Sequence, residues 1–325
     1  MTFFRQSCLL LALVLLVSVC KAAPYTPETP THKVATLYTT WHDTARARDV
    51  PVKIYYPADA KSPCPVIIFS HGLGGSREGY GYLGETWAGC GYISVHIQHQ
   101  GSDDAVWRNA NGDGFAALSR AVTDPQNALN RALDVPFAID QMLALNKNPK
   151  SPLYGLINAD EIGMAGHSFG AWTTLAVTGE KTVAPDNLVD PRIKAAIAMS
   201  APVVGGGAKA VGQFTDIKVP VFHMTGTRDD SPIGDTTAPE RRIPYDQSTI
   251  PGTCLLILNG ADHMTFSGHI MGISQASDTH FQSIILPASI AFWDAHLRND
   301  QEAAAWLYKG PFAKFLGTQG TFETR

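Results

Sequence analysis

Five residues, Gly166-His167-Ser168-Phe169-Gly170, restrict what this chain can fold into more than any other segment. Just before them, Glu161-Ile162-Gly163-Met164-Ala165 reads as a short, largely apolar strand, and residues 171–178 after them are compatible with a helix. A strand that passes into a helix through a G-x-S-x-G turn holds its serine in a strained backbone conformation, and the flanking glycines let strand and helix approach closely. Ser168 is therefore expected at the top of a sheet with its hydroxyl pointing out. The bare pattern recurs by chance in loops rich in Gly and Ser, so its neighbours and its partners farther along decide the reading.

The neighbours agree. Strand-like runs occur near 34–40, 52–56, 66–69, 93–97, 162–165, 195–199, 219–224 and 255–258, eight in all, and the later ones are nearly continuous apolar stretches. Such stretches suit parallel strands covered on both faces. Helix-compatible segments near 80–89, 127–145, 171–177 and 282–297 alternate with them, which argues for a sheet with helices on both sides. Two insertions are expected to shape a pocket: residues 99–125, carrying Trp107 and Phe115, and residues 267–279. The link over 200–218 is short and Gly-rich, with no room for a helical lid, so an open site is expected.

A serine hydroxyl is a weak nucleophile near neutral pH and needs a base, which in turn needs a group to fix its tautomer. Lys218-Val219-Pro220-Val221-Phe222-His223-Met224 reads as a buried strand and runs into Thr225-Gly226-Thr227-Arg228-Asp229-Asp230. A carboxylate just past a core strand can receive a histidine proton; Asp229 is the first choice and Asp230 the second. The run Cys254-Leu255-Leu256-Ile257-Leu258 ends in Asn259-Gly260-Ala261-Asp262-His263-Met264-Thr265-Phe266, which puts His263 where the base should follow the last strand. Two backbone N–H groups must also face the oxygen that becomes negative. Phe169, after the nucleophile, supplies one, and Leu73, in the Gly-rich turn Ser70-His71-Gly72-Leu73-Gly74-Gly75 after the third strand, supplies the other. Near them, His99, Trp107, Phe115, Met264 and Phe266 are expected to line the substrate pocket.

These motifs together resemble the α/β-hydrolases of the dienelactone-hydrolase-like group, which includes platelet-activating-factor acetylhydrolases. The resemblance runs from about Val34 to Leu297. It implies an α/β-hydrolase fold: a mostly parallel eight-stranded sheet with helices on both faces and no large lid domain. It also implies a Ser168-His263-Asp229 triad with Leu73 and Phe169 as oxyanion donors, which matches the reading from the residues. True dienelactone hydrolases use a cysteine nucleophile, and Ser168 in its place points to ordinary, short-chain carboxylic esters. A peptidase or amidase on the same triad, and a non-catalytic binding protein of the same fold, remain as alternatives.

The first 22 residues read as a secretory signal: Arg5, an apolar core over 8–19, then Cys20-Lys21-Ala22-Ala23 with cleavage after Ala22. That apolar run is short for a membrane span. Lipidation of Cys20 is disfavoured by the valine before it, and an uncleaved anchor is the other alternative. A linker over 23–33, a catalytic domain over 34–300 and a C-terminal extension over 301–325 complete the expected organisation. The chain holds 25 basic and 29 acidic residues, a net charge of −4, and loss of Arg5 and Lys21 makes it more acidic. With no basic cluster, nucleic acid is not expected as a partner; a small-molecule or lipid-like ester is. Cys64 and Cys90 are the preferred disulfide pair, against the reading of buried small hydrophobes. His96 and His99 with Asp103 and Asp104 raise the idea of a metal, but residues three apart on a strand face opposite sides, so no metal is expected; no cofactor is expected either, because the chemistry read above is acid–base and nucleophilic.

Overall fold

The computed structural model describes residues 25–27, 29–183, 188–207, 210–267 and 276–325. The expected signal lies outside these residues, as does most of the expected insertion over 267–279. From residue 34 the chain forms β1 (Val34–Asp43), β2 (Arg48–Pro57), β3 (Cys64–Ser70), α1 (Gly81–Gly89), β4 (Ile93–Ile97), α2 (Ala105–Arg108), α3 (Gly114–Thr123), α4 (Pro125–Lys147), β5 (Ile157–His167) and α5 (Phe169–Ala176). It continues through β6 (Ile193–Met199), β7 (Val221–Arg228), α6 (Ile243–Asp246), β8 (Cys254–Asp262), α7 (Ala276–His296), α8 (Gln301–Tyr308), α9 (Pro311–Leu316) and β9 (Gly320–Thr324). The insertion over 99–125 is thus largely helical, with Asp113 capping α3 by accepting from the Ala116 N–H.

The strands form one sheet in the order β1-β2-β4-β3-β5-β6-β7-β8-β9. From β4 to β8 every neighbouring pair is parallel, while β1 with β2, β2 with β4, and β8 with β9 are antiparallel. β3 shows why this sheet needs two covers. Its seven residues are all buried, with Val66 and Ile68 facing one apolar layer and Ile67 and Phe69 facing the other. α4 and α5 fill the first layer through Val135, Ile139, Ala171 and Leu175. α1 and α7 fill the second through Leu83, Trp87, Phe292 and Trp293.

Order along the sheet now fixes where a ligand can bind. From β3 the chain crosses through α1 to β4 on one side, then returns through α4 to β5 on the other side of β3. Because parallel crossovers share one hand, α1 and α4 must cover opposite faces, and the carboxyl ends of β3 and β5 part to leave a crevice between them. The Gly-rich loop after β3 and Ser168 after β5 both open into that crevice.

Three expectations are corrected. The sheet has a ninth strand, and residues 301–325 do not stand apart from the catalytic domain: β9 pairs with β8, while Leu307, Phe312 and Leu316 join the apolar layer of α7. The segment Gly320-Thr321-Phe322-Glu323-Thr324 is short, polar and half exposed, so it carries too little apolar alternation to read as a strand. Cys64 and Cys90 lie in opposite apolar layers, separated by the sheet, and no disulfide joins them. Among the described residues no helix is long and apolar enough to cross a membrane.

Trp293 carries much of the second layer. Its indole meets Trp87 edge-on at 5.9 Å and packs so tightly on β5 that a methyl group added to Gly163 would come within 2.8 Å of it. Trp293→Ala should cost about 3–5 kcal/mol of stability through the cavity it leaves, read as a lower urea midpoint with an unchanged slope.

Candidate active site

β5 ends at His167 and α5 begins at Phe169, leaving Ser168 alone at the turn with φ 56° and ψ −118°. A non-glycine residue at positive φ is held there by its surroundings. Here the surroundings are close backbone contacts: a Cβ on Gly170 would fall 1.9 Å from the Ser70 carbonyl oxygen, and one on Gly166 would fall 2.2 Å from the Gly170 oxygen. Ser168 N–H donates to the Met199 carbonyl at 2.9 Å, which ties the turn to β6.

Ser168 Oγ lies 2.8 Å from His263 Nε2, and His263 Nδ1 lies 2.8 Å from Asp229 Oδ1. With its Nδ1–H committed to the carboxylate, the imidazole presents Nε2 to the serine as an acceptor. His263 opens a short turn, His263–Phe266, capped by Asp262, which accepts from the N–H groups of Met264 and Thr265. Asp229 follows β7 and is fully buried. Thr225 Oγ1 donates to its Oδ2 at 2.8 Å, and Arg241, itself buried, approaches its Oδ1 at 3.2 Å and donates to its carbonyl at 2.9 Å. Burial alone would raise the Asp229 pKa, but the His263 hydrogen bond and the Arg241 charge outweigh it and hold the carboxyl below its ordinary value. Asp230 points the other way, is exposed, and accepts from the Ala238 N–H.

The loop after β3 is fixed from both ends. His71 Nδ1 donates to the Gly72 carbonyl at 2.6 Å, and Gly75 N–H donates to the same oxygen at 3.1 Å. A trans peptide is planar, so pinning the Gly72 oxygen aims the Leu73 N–H the opposite way. His71 Nε2 accepts from the His99 N–H at 3.1 Å, and burial together with the nearby Arg131 charge keeps its pKa well below the usual histidine value. Arg131 is fully buried under this loop. It donates to Ser102 Oγ at 2.8 Å, Ser70 Oγ at 3.1 Å, Thr173 Oγ1 at 3.2 Å and the His71 carbonyl, and it stacks 4.5 Å from the Phe169 ring centre. Phe169 is the first residue of α5, whose first N–H groups have no intrahelical partner. Among the described residues nothing accepts from the Leu73 or Phe169 N–H, and both residues line the cavity beside Ser168.

That cavity has a volume of about 1120 Å³. Trp107 and Met264 line it as expected; three other residues do not. His99 is fully buried behind the loop, its Nδ1 on Asp134 and its Nε2 on Ser70 Oγ, because the chain turns inward after β4. Phe115 is 64% exposed on the outer side of α3, and Phe266 is fully buried in the layer of α7, because the turn after His263 directs it into the core. Trp172 packs against the first apolar layer, lines the cavity and tilts on Phe169 at 5.7 Å. The segment over 200–218 supplies no helix among the described residues and lends Val203, Val204 and Val211 to the wall. His96 and His99 diverge: His96 stacks on Phe69 at 4.8 Å. Among the described residues no His, Cys, Asp and Glu side chains gather as metal ligands would.

Arg131 and Arg241 are the site residues that sequence reasoning missed. Neither sits in a motif; each is known for what it is only when its neighbours are.

Residues 31–113 match the family model of platelet-activating factor acetylhydrolase, isoform II. No curated protein matches the chain. The matched segment carries β1 to β4 and the loop with Leu73, and the mostly parallel sheet covered on both faces is that of an α/β-hydrolase. The match supports a hydrolase acting on esters in general.

One wall residue makes a pH-dependent prediction. Glu180 is 5% exposed; Gln213 Nε2 donates to its Oε1 at 2.7 Å, and among the described residues its Oε2 has no partner. Burial pushes its carboxyl up to about 8, from an ordinary 4.5. A carboxyl whose folded pKa is raised keeps its full contribution below about pH 4.5 and loses it progressively as pH rises toward 8, because the unfolded chain ionises first. Glu180→Gln should therefore gain stability relative to wild type between pH 5 and pH 8, on the order of 1–3 kcal/mol by urea denaturation. A difference that does not change with pH would mean that Glu180 is ionised in the fold.

Proposed function

We propose that this chain is an exported serine hydrolase that cleaves short-chain carboxylic esters through an acyl-enzyme. The observation that carries the reading is the pair of 2.8 Å hydrogen bonds joining Ser168 Oγ, His263 and Asp229 beside a cavity that Leu73 and Phe169 also line. His263 Nε2 takes the Ser168 proton as Oγ attacks the ester carbonyl, and the carbonyl oxygen gains its negative charge in front of the Leu73 and Phe169 amides. The tetrahedral species collapses, His263 passes the proton to the departing alcohol, and the acyl group stays on Ser168. Water then repeats the sequence: His263 takes its proton, the hydroxide oxygen attacks, and the acid leaves as Oγ recovers a proton. Asp229 holds the tautomer throughout and offsets the imidazolium charge. Each step is a proton transfer or a nucleophilic attack by groups of this chain, so the cycle invokes no cofactor.

Preference for a short acyl chain rests on Trp107, whose Nε1 donates to the Gly74 carbonyl at 2.8 Å and so fixes the indole at the wall beside the Leu73 loop. Export rests on the signal-like composition of residues 1–22.

Hydrolysis of p-nitrophenyl acetate against the matched anilide tests the ester reading. Ser168→Ala should lose about 10⁴- to 10⁶-fold in kcat and all labelling by a fluorophosphonate while keeping its melting temperature. Retention of more than about a tenth of the activity would remove Ser168 from the role of nucleophile.

The two adjacent aspartates separate cleanly. Asp229→Asn should cost roughly 10³- to 10⁴-fold in kcat, because the amide stabilises the wrong imidazole tautomer, whereas Asp230→Asn should cost less than about tenfold. The opposite ranking would transfer the role to Asp230.

A further inference from the structure

One chain of hydrogen bonds crosses behind the site and touches three of the four segments that the proposed cycle uses. Gly72 N–H donates to Tyr80 Oη at 3.2 Å, and Tyr80 Oη lies 2.8 Å from His167 Nδ1. His167 Nε2 lies 2.9 Å from the His263 carbonyl oxygen. The polarity is forced. A carbonyl only accepts, so the His167 proton sits on Nε2; Nδ1 must then accept, and the Tyr80 hydroxyl, already receiving from Gly72, donates to it. The contacts are close as well: a Cβ on Gly72 would lie 3.2 Å from Tyr80 Oη, 3.3 Å from His167 Nδ1 and 3.4 Å from Ser168 Cβ.

We infer that Tyr80 and His167 are positioning residues, a directional hydrogen-bonded tie that holds the His71–Gly72 peptide, Ser168 and the backbone of His263 at fixed separations. The inference rests on the proposed serine-hydrolase reading. Each bond acts on a different part. Tyr80 anchors the amide one peptide before the Leu73 N–H. His167 precedes the nucleophile in the chain and anchors the carbonyl of the base, whose ring packs 4.8 Å from its own. Tyr82 Oη, just beyond in α1, donates to the Phe266 carbonyl at 3.0 Å, but only the Tyr80–His167 pair reaches the His263 backbone and the residue before Ser168. Both groups also keep the protonation state the tie needs. Burial lifts the Tyr80 hydroxyl to about 12 and, with the nearby His263, pushes His167 well below the usual histidine value. The tie therefore stays intact across the pH range in which a neutral His263 would act.

The test cuts the two halves separately. Tyr80→Phe removes the hydroxyl. In His167→Gln the amide nitrogen can still donate to the His263 carbonyl, but the partner of Tyr80 is gone; in His167→Asn the amide oxygen can still accept from Tyr80, but the link to His263 is gone. Kinetics on p-nitrophenyl acetate, with fluorophosphonate labelling of Ser168 as a second rate, should show kcat and labelling falling about 10- to 100-fold in each single variant, with KM within about threefold and the fold retained by circular dichroism. Tyr80→Phe combined with His167→Gln should cost no more than the worse of the two, since Tyr80→Phe already breaks the bond that His167→Gln removes. Combined with His167→Asn it should cost close to the product of the two factors. A Tyr80→Phe enzyme within twofold of wild type in kcat and labelling would overturn the inference. So would losses that track only the unfolded fraction, or two double variants that behave alike. Should Tyr80→Phe fail to fold, the two His167 variants still decide, because equal kcat to wild type in both would dispose of the tie. Wild type that neither hydrolyses the ester nor takes the label would instead overturn the function itself, and with it the inference.

Discussion

The Arg131 guanidinium is the interaction on which the carboxyl end of this sheet, around Ser168, depends. A cation taken out of water costs several kcal/mol unless its donors are all engaged, so the chain around it must hold its acceptors in place. Those acceptors are Ser70, His71, Ser102 and Thr173, from β3, the loop after it, the turn after β4 and α5. Its nearest counter-charge, Asp134, lies one turn along α4 and is shared with Arg46, Arg48 and His99. Burial brings Arg131 down to about 9, which still leaves it charged at neutral pH. Both peptides with unengaged amides, at Leu73 and Phe169, rest on this one group, the first through His71 and the second through the ring above it.

Arg241 performs a related task at the other side of the cavity. It reaches the Asp229 carboxylate and carbonyl, the Ser200 carbonyl and Ser231 Oγ, so the carboxylate beside His263 is fixed by a second buried cation. The arrangement has a cost and a use. Two charges under a sheet are poor stabilisers compared with hydrocarbon, but hydrogen-bonded guanidinium groups set directions that apolar packing leaves loose.

The parts of this architecture that could be read from sequence are those with a local signature. Ser168 was legible because strand, turn and helix must meet at the elbow, and His263 because it follows the last long apolar run. The choice of Asp229 over Asp230 agrees with where the chain places them, since consecutive residues past a strand end face opposite ways. What could not be read depends on the direction a segment takes after its motif ends. His99, Phe115 and Phe266 all sit near the site in sequence, yet each turns away from the cavity, one into a polar cluster, one to solvent and one to the core. Arg131 and Arg241 are the converse case: charged residues on helical segments read as solvated, and only tertiary packing buries them. The edge strand β9 escaped because five half-exposed residues show no period strong enough to detect.

The placement of β3 beside β5, with about ninety residues of chain between them, has a consequence for assembly rather than for chemistry. No local stretch contains a working set of groups: Leu73, Ser168, Asp229 and His263 come from four strand ends that meet only when the whole parallel sheet is in register. Pairings of this kind form late, because a long loop must close before any contact rewards it. Helices such as α4 can gain structure early, so backbone signals will report order in molecules whose strand ends are still apart. On the proposed reading, nucleophilic competence at Ser168 is a clock hand that moves last, and its appearance would mark the completed sheet more faithfully than any measure of secondary structure.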